Sequence, residues 1–171
     1  MNKEEAVNVM EADDRFTGLR PSDLSDVEKQ SVVTLAMKVL AIQHRAGRLL
    51  SNPEATRNYL RLRLADYRNE VFGSLLLDNR QRIIAMRDLF QGTIDGASIH
   101  PRVVVQQAME ENAAAVVFFH NHPSGVAEPS HADEAITRRL KDALALVDVR
   151  VLDHFVVSAG ESVSFAQRGL L

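Results

Sequence analysis

The sequence predicts a protein of the α/β (α+β) class, in which a mixed β-sheet is flanked by helices. Apolar residues recur at helical spacing in the first third of the chain, and short apolar runs typical of buried strands alternate with helical segments after it. The chain has 171 residues, 46% of them hydrophobic. This length suits one full domain with an appendage, which we expect to be an N-terminal helical extension.

The N-terminal extension is predicted to contain an arm and one helix. Residues 1–24 lack sustained periodicity, which indicates a loosely attached arm. A capping box at Ser25 then begins a helix whose apolar face reaches Ile42, and Gly47 ends it. We therefore assign the arm and helix to residues 1–50.

The main domain is predicted over residues 51–171 and starts with a helix. Pro53 suits the first turn of this helix, which runs to about Asp66. Two apolar runs separated by a turn at 78–81 then indicate a hairpin. The predicted strands are 70–77, 82–90, 114–119, 149–157 and 163–165, and the remaining helices run from Pro101 to about Met109 and from Ser130 to about Leu146.

Composition excludes several classes of protein. The chain contains no cysteine, so disulfide scaffolds, thiol catalysis and cysteine-bound metals are excluded, and any metal must be held by nitrogen and oxygen. The absence of cysteine also suits a reducing cytoplasm, which is the location we expect. Twenty Lys and Arg against 23 Asp and Glu give a net charge of −3, which creates no global field that attracts polyanions.

No membrane segment is predicted. The longest uninterrupted apolar run covers only residues 113–119, whereas a helix needs about 20 residues to cross a bilayer. No apolar stretch near the amino terminus is long enough for a signal peptide.

The candidate chemistry lies in one short segment, since three of the six histidines fall within residues 120–131. If the strand from residue 114 continues through His122, its alternation places His120 and His122 on one face. Proline and glycine then turn the chain, and Asp133 returns in the first turn of the next helix. Two imidazoles and one carboxylate leave a tetrahedral position for water, as in catalytic zinc sites. The sequence therefore predicts Zn²⁺ on His120, His122 and Asp133.

Each of these residues also has a simpler interpretation. Ser130 with Asp133 is an ordinary helix-start pattern, and a His-x-His at a strand end is often just exposed polar sequence. The same ligand set also suits Fe(II) in an oxygenase-like site. The conjunction of two histidines on one strand face, a sharp turn and a returning carboxylate favours a metal site.

The other histidines are assigned structural places. His131 is expected to point away from the site, and His154 is expected to form a structural hydrogen-bonded pair with Asp153. His44 and His100 are interpreted as surface or helix-end residues.

At these residues the chain resembles the JAMM metalloprotease superfamily, whose domain has the JAB/MPN (cytidine-deaminase-like) fold. The signature of that superfamily is H-x-H, seven residues, then S-x-x-D, and the spacing matches here from His120 to Asp133. The chain is most similar to the RadC-like branch, over roughly residues 50–171. The segments that carry this similarity are HNHPSG at 120–125, PS at 129–130, QGT at 91–93, HPR at 100–102, LDHFVV at 152–157 and SF at 164–165.

The resemblance implies a zinc-dependent hydrolase of the metallopeptidase or isopeptidase type, a JAMM-type metalloprotease with a peptide or protein substrate. In the superfamily a glutamate precedes the metal segment, with a glycine three residues on, and Glu70 with Gly73 fits that position. Glu70 would then be the general base for a metal-activated water, and Ser130 would donate a hydrogen bond to the developing oxyanion. No substrate and no oligomeric state are assigned.

Two other functions are carried as alternatives. RadC-like proteins have carried a DNA-repair label, so the chain is alternatively a DNA-associated accessory protein without peptidase activity. The second alternative is a non-catalytic scaffold that keeps the fold. The presence of all three candidate ligands and of the candidate base disfavours it. Acidic residues interleave with the basic ones that would contact DNA, which favours an ordinary solvated face; these basic residues are Arg57, Arg61, Arg68, Arg138, Arg139 and Lys141.

Overall fold

The computed structural model describes residues 18–50, 52–65, 67–93 and 98–171. Most of the predicted N-terminal arm therefore lies outside the described residues. The chain divides into two compact units, Met1–Ala36 and Met37–Leu171, and helix α1 begins in the first and ends in the second. The division of the chain at residue 50 stays a prediction.

The described residues form the predicted mixture of strands and helices. Asn52 caps α2 by accepting a hydrogen bond from the backbone N–H of Ala55, and proline follows it at the first helical position. A short final helix, α5, is an addition to the predicted order. The helices are α1 (Asp26–Gln43), α2 (Pro53–Leu64), α3 (Pro101–Glu110), α4 (His131–Ala145) and α5 (Phe165–Arg168), and the strands are β1 (Val71–Leu77), β2 (Ile83–Gln91), β3 (Ala115–Asn121), β4 (Arg150–Val157) and β5 (Ser162–Ser164).

The five strands form one mixed sheet in the order β2-β1-β3-β4-β5. Strands β1 and β2 pair antiparallel, as the predicted hairpin requires. β1 also pairs antiparallel with β3, and β5 pairs antiparallel with β4. Strands β3 and β4 are parallel, and α4 connects them. The fold class is therefore the predicted α+β arrangement.

Both faces of the sheet are covered, so β1 and β3 are buried along their whole length. Leu60 and Leu64 of α2 pack on one face with Phe119. Helices α3 and α4 supply the apolar side chains on the other face, among them Leu140. Because β3 is buried on both sides, a polar side chain near its end must find its partners within the protein.

Gly73 permits a close approach between two strands. A Cβ at this position would overlap the ring of Phe119 and would lie 2.6 Å from the backbone oxygen of Arg87. The Phe119 ring occupies the space that a side chain at residue 73 would need. The glycine of the predicted Glu70–Gly73 pair is therefore required by packing.

Among the described residues, no helix combines the length and the apolar character that crossing a membrane requires.

Candidate metal centre

His120, His122 and Asp133 come together at the carboxyl end of β3. His120 is the last residue but one of β3. The backbone N–H of His122, just beyond the strand, donates to the carbonyl of Val157 and so continues the pairing with β4. The two Nε2 atoms are 2.9 Å apart. The carboxylate of Asp133 lies 3.3 Å from Nε2 of His120 and 3.5 Å from Nε2 of His122. The structure thus brings the three predicted ligands together.

Asp133 is held in place by the start of α4. Its Oδ2 accepts hydrogen bonds from the backbone N–H of Ser130, at 2.7 Å, and from the Ser130 hydroxyl, at 2.6 Å. In return, the backbone N–H of Asp133 donates to Ser130 Oγ. Oδ1 is the oxygen nearer to His120. The helix cap therefore orients the carboxylate toward the histidines, and capping and metal binding are compatible roles for one residue.

The charged groups of this cluster shift one another's pKa. Although burial alone would raise the pKa of the Asp133 carboxyl, the adjacent rings of His120 and His122 and the hydrogen bonds from Ser130 hold that pKa well below its usual range. Asp133 in turn raises the pKa of His122, to which the carbonyl of Val126 and the charge of Glu70 add. The carboxylate is therefore ionised, and its charge favours the protonated form of His122.

The backbone of Val126 fixes the second ring. His122 Nδ1 lies 2.8 Å from the carbonyl oxygen of Val126, which can only accept a hydrogen bond. Nδ1 therefore carries a hydrogen. In the neutral ring Nε2 is then bare, and its lone pair points toward His120 and Asp133.

The donor set fits a divalent ion. One ligand atom from each of His120, His122 and Asp133 lies within 4.8 Å of the other two, and two imidazole nitrogens with one carboxylate are ligands that zinc takes. Bare nitrogen lone pairs and a carboxylate that converge in this way repel one another unless a proton or a metal cation lies between them. The three residues could therefore hold a metal ion.

The ring of His154 makes contacts that the sequence did not predict. Its ring is fully buried, and Nε2 lies 2.8 Å from Nδ1 of His120. Nδ1 of His154 lies 2.7 Å from the hydroxyl of Thr137 in α4. Burial holds the pKa of His154 well below its ordinary value, and the neighbouring His120 acts in the same direction. His154 is thus a neutral ring in contact with a candidate ligand.

The predicted hydrogen-bonded pair of Asp153 and His154 forms through the backbone N–H of His154 and not through its ring. Asp153 accepts from the backbone N–H of His154, from Ser164 Oγ and from the backbone N–H of Ala166. Adjacent strand residues point to opposite faces. The side chain of Asp153 therefore bonds to the start of α5, whereas the ring of His154 contacts the candidate ligand His120. The period-two alternation of the strand was the signal that could have separated them.

Glu70 lies one residue before β1, and its backbone pairs with the two residues that follow β2. Its N–H donates to the carbonyl of Thr93, and its own carbonyl accepts from Gly92. Asn121, between the two histidines, accepts from the N–H of Val71 at 2.7 Å and donates to the carbonyl of Asn69 at 3.1 Å. The segment that carries Glu70 is thereby attached to the end of β3. Sequence reasoning did not single out Asn121.

The remaining histidines, all within the described residues, are not members of the converging group. His131 is the first residue of α4 and is exposed, and His100 is an exposed residue before α3 that packs against Phe90. His44 follows α1, as a helix-end residue, but it is buried with 7% exposure and stacks on Tyr59. Of the two interpretations of His44, the helix-end one is therefore confirmed, and its side chain is buried.

Several of the basic residues considered for DNA contact are engaged within the protein. Arg57 donates to Gln167, Arg61 donates to the carbonyl of Gly160, and Arg138 lies 3.6 Å from Glu134. These contacts support the interpretation of their surfaces as ordinary solvated faces.

Comparison with known proteins gives one consistent result. A family model described as RadC-like JAB domain matches residues 50–170. A UPF0758 protein of Thioalkalivibrio sulfidiphilus is 54% identical over 173 residues, which cover 92% of this chain and 77% of the relative. UPF0758 proteins of Halorhodospira halophila and Marinobacter nauticus are 52% and 57% identical, over 95% and 83% of this chain and 74% and 63% of their own lengths. These names state no activity, and the chain spans about two thirds to three quarters of the relatives it matches.

Proposed function

Because the chain belongs to the RadC-like JAB domain family, we propose that it is a zinc-dependent hydrolase that cleaves amide bonds of peptides or isopeptides. The observation that supports this proposal is the convergence of His120, His122 and Asp133 at the end of β3. Held there, a Zn²⁺ ion would lower the pKa of bound water to about 7 and polarise a carbonyl. The chain's own residues supply the proton transfers and the orientation.

Glu70 is proposed as the general base. Its negative charge contributes to the raised pKa of His122, which supports this role. In this role it accepts the proton of the attacking water and passes it to the leaving amine, which is typically worth about 10² to 10⁴ in rate. The two hydrogen bonds of Asn121 on either side of Glu70 hold the backbone from which this carboxylate extends.

Ser130 is proposed to donate a hydrogen bond to the oxyanion of the substrate. In the structure its single hydroxyl hydrogen is directed to Asp133. The oxyanion role therefore requires this hydrogen to turn from the carboxylate to the substrate. Ser130 is exposed, which leaves its hydroxyl within reach of a bound peptide.

The proposal is tested by metal content and turnover measured together. Protein purified without chelator or added metal is analysed for metal and is then assayed against a broad library of peptides and isopeptides. We expect about one zinc per chain and cleavage of at least one substrate class. Iron in place of zinc with oxygen-dependent chemistry, or metal-loaded protein that cleaves nothing in the library, would contradict the proposal.

The Glu70→Gln variant tests the base. Glutamine keeps the size of the side chain but cannot accept the proton, so turnover should fall by about 10² to 10⁴ while metal content stays the same. Glu110→Gln makes the same chemical change on the exposed end of α3 and should retain full activity. Equal turnover in wild type and Glu70→Gln would remove Glu70 from the mechanism.

A further inference from the structure

A chain of hydrogen bonds leads from one candidate ligand to another through two buried side chains. It runs from Nδ1 of His120 to Nε2 of His154, then from Nδ1 of His154 to the hydroxyl of Thr137, and ends at the backbone carbonyl of Asp133. We infer that His154 and Thr137 are positioning residues that fix the tautomer of His120, so that its Nε2 lone pair faces the metal ion. This inference rests on the metal site of the proposed function and deepens it.

Which atom donates in each of these hydrogen bonds follows from the carbonyl at the end of the chain of bonds. The carbonyl oxygen of Asp133 carries no hydrogen, so the Thr137 hydroxyl must donate to it. This bond to the carbonyl four residues earlier is one that threonine commonly makes within a helix. Thr137 has one hydroxyl hydrogen, which this bond uses. The Thr137 oxygen can therefore only accept from His154.

The same reasoning continues through both rings. Because Thr137 accepts, Nδ1 of His154 carries the hydrogen. A neutral imidazole has one N–H, so Nε2 of His154 is bare and accepts from Nδ1 of His120. His120 consequently holds its hydrogen on Nδ1. Its Nε2 is left bare and lies 2.9 Å from His122 Nε2 and 3.3 Å from the Asp133 carboxylate.

The surroundings of His154 support the neutral ring. It has no exposed surface, and the rings of Phe72, Phe118 and Phe165 pack around it. An apolar environment disfavours the charged imidazolium. His120 is 1% exposed, so its Nδ1 depends on His154 for a partner. Ligand histidines usually donate their second nitrogen to a carboxylate, a backbone carbonyl or water, and here a second histidine takes that place.

The arrangement joins the two elements that supply the ligands. His120 belongs to β3, whereas Asp133 and Thr137 belong to α4 and His154 belongs to β4. The bond chain starts at the ring of one ligand and ends on the backbone of another. It therefore sets both the proton position of His120 and its orientation relative to Asp133.

The tautomer is measured directly in metal-free protein. Long-range ¹H–¹⁵N correlation spectra on the alkaline side of the imidazole titrations show which ring nitrogen carries the hydrogen. For wild type we expect the Nδ1–H form of His120. Thr137→Val removes the hydroxyl at nearly constant size, and it should shift His120 toward the Nε2–H form. Thr137→Ser restores the hydroxyl and should restore the Nδ1–H form.

Zinc affinity, measured by competition with a chelator, is the second readout. Loss of an outer hydrogen-bond partner of a ligand typically weakens metal binding about 10- to 100-fold. We expect that loss in Thr137→Val and an affinity near that of wild type in Thr137→Ser. His154→Phe, which places one more aromatic ring among the three that already surround the site, should show the same loss. Circular dichroism of each metal-free variant verifies the fold.

The outcomes separate this inference from the proposed function. An Nε2–H tautomer of His120 in wild type, or folded Thr137→Val and His154→Phe variants with unchanged tautomer and zinc affinity, would overturn the inference even if the protein hydrolyses a substrate. If wild type and variants behave as expected but nothing is cleaved, the positioning role stands and the hydrolase proposal fails.

Discussion

The two oxygens of Asp133 have different neighbours. Oδ2 takes both hydrogen bonds from Ser130, and Oδ1 lies toward His120. A helix cap normally uses a short polar side chain for the backbone alone, but a carboxylate has lone pairs to spare. Asp133 can therefore take part in the cap of α4 and also offer an oxygen to an ion. This division explains why a capping pattern and a metal-ligand pattern coincide in the sequence.

His44 gives a prediction that is independent of the metal cluster. Burial lowers its pKa, against the smaller opposing effect of its bond to the Leu40 carbonyl. In the unfolded chain its pKa returns to about 6.5, so below that value the unfolded chain binds a proton that the folded protein resists. The stability that His44 contributes is therefore present above pH 6.5 and is lost as the pH falls below it.

The measurement compares metal-free wild type with His44→Phe, which can still stack on Tyr59 but does not titrate. As the pH falls below about 6.5, the free energy of unfolding of wild type should decrease relative to that of the variant. Above that value the difference between the two proteins should be constant. A difference that is the same on both sides of pH 6.5 would show that His44 titrates alike in the folded and unfolded states.

At the residue scale, the three candidate metal ligands could be predicted from the sequence, but the hydrogen bonds that hold the ring of His120 could not. His120, His122 and Asp133 lie within 14 positions of one another, so strand alternation and a helix start are enough to bring them together. Thr137 and His154 meet only because α4 packs on the face of the sheet that carries His154. The sequence shows no local signal for that contact.

At the scale of elements, β1 and β3 depend on the fit between Gly73 and Phe119. The ring lies where a Cβ would be, and a backbone oxygen closes the other side. Gly73→Ala should lower the free energy of unfolding by about 1–3 kcal/mol, as overpacking of a rigid core does. Thermal unfolding of the metal-free wild type and variant measures this loss of stability.

Gly160 supplies the matched control for that substitution. It lies in the turn between β4 and β5, and a Cβ there would meet nothing within 4 Å. Gly160→Ala should therefore leave the unfolding temperature nearly unchanged. If the two alanine variants unfold at the same temperature, Phe119 moves aside at little cost and the packing requirement on Gly73 is wrong.

Strand positions were predicted well because the central strands are continuously apolar. β1 begins one residue after the predicted start, and β3 continues to Asn121, beyond the predicted strand at 114–119. The extension places His120 within the pairing with β4. Helix α5 was not predicted because four residues carry too little periodicity to show a face.

At the scale of the whole molecule, the metal-binding residues lie on a strand and a helix that are separated by a loop, so a bound ion would join these two elements. A ligand that binds only the folded state stabilises it, by about 2.7 kcal/mol at a concentration 100 times its dissociation constant. Added Zn²⁺ should therefore raise the unfolding temperature of metal-free wild type. His122→Ala should lose most of this shift, whereas His131→Ala, which alters an exposed neighbour, should keep it. An equal shift in all three proteins would place the zinc elsewhere.

The pairing of β3 with β4 has a consequence for synthesis. β1, β2 and β3 are neighbours that form antiparallel pairs, and they precede α4 and β4 in the chain. As the protein leaves the ribosome, this three-stranded sheet can form while one edge of β3 is still open. That edge is apolar and unpaired until residues 150–157 emerge, and such edges are sites where chains associate with one another. Nascent chains arrested between α4 and β4 should thus be the ones most in need of a chaperone.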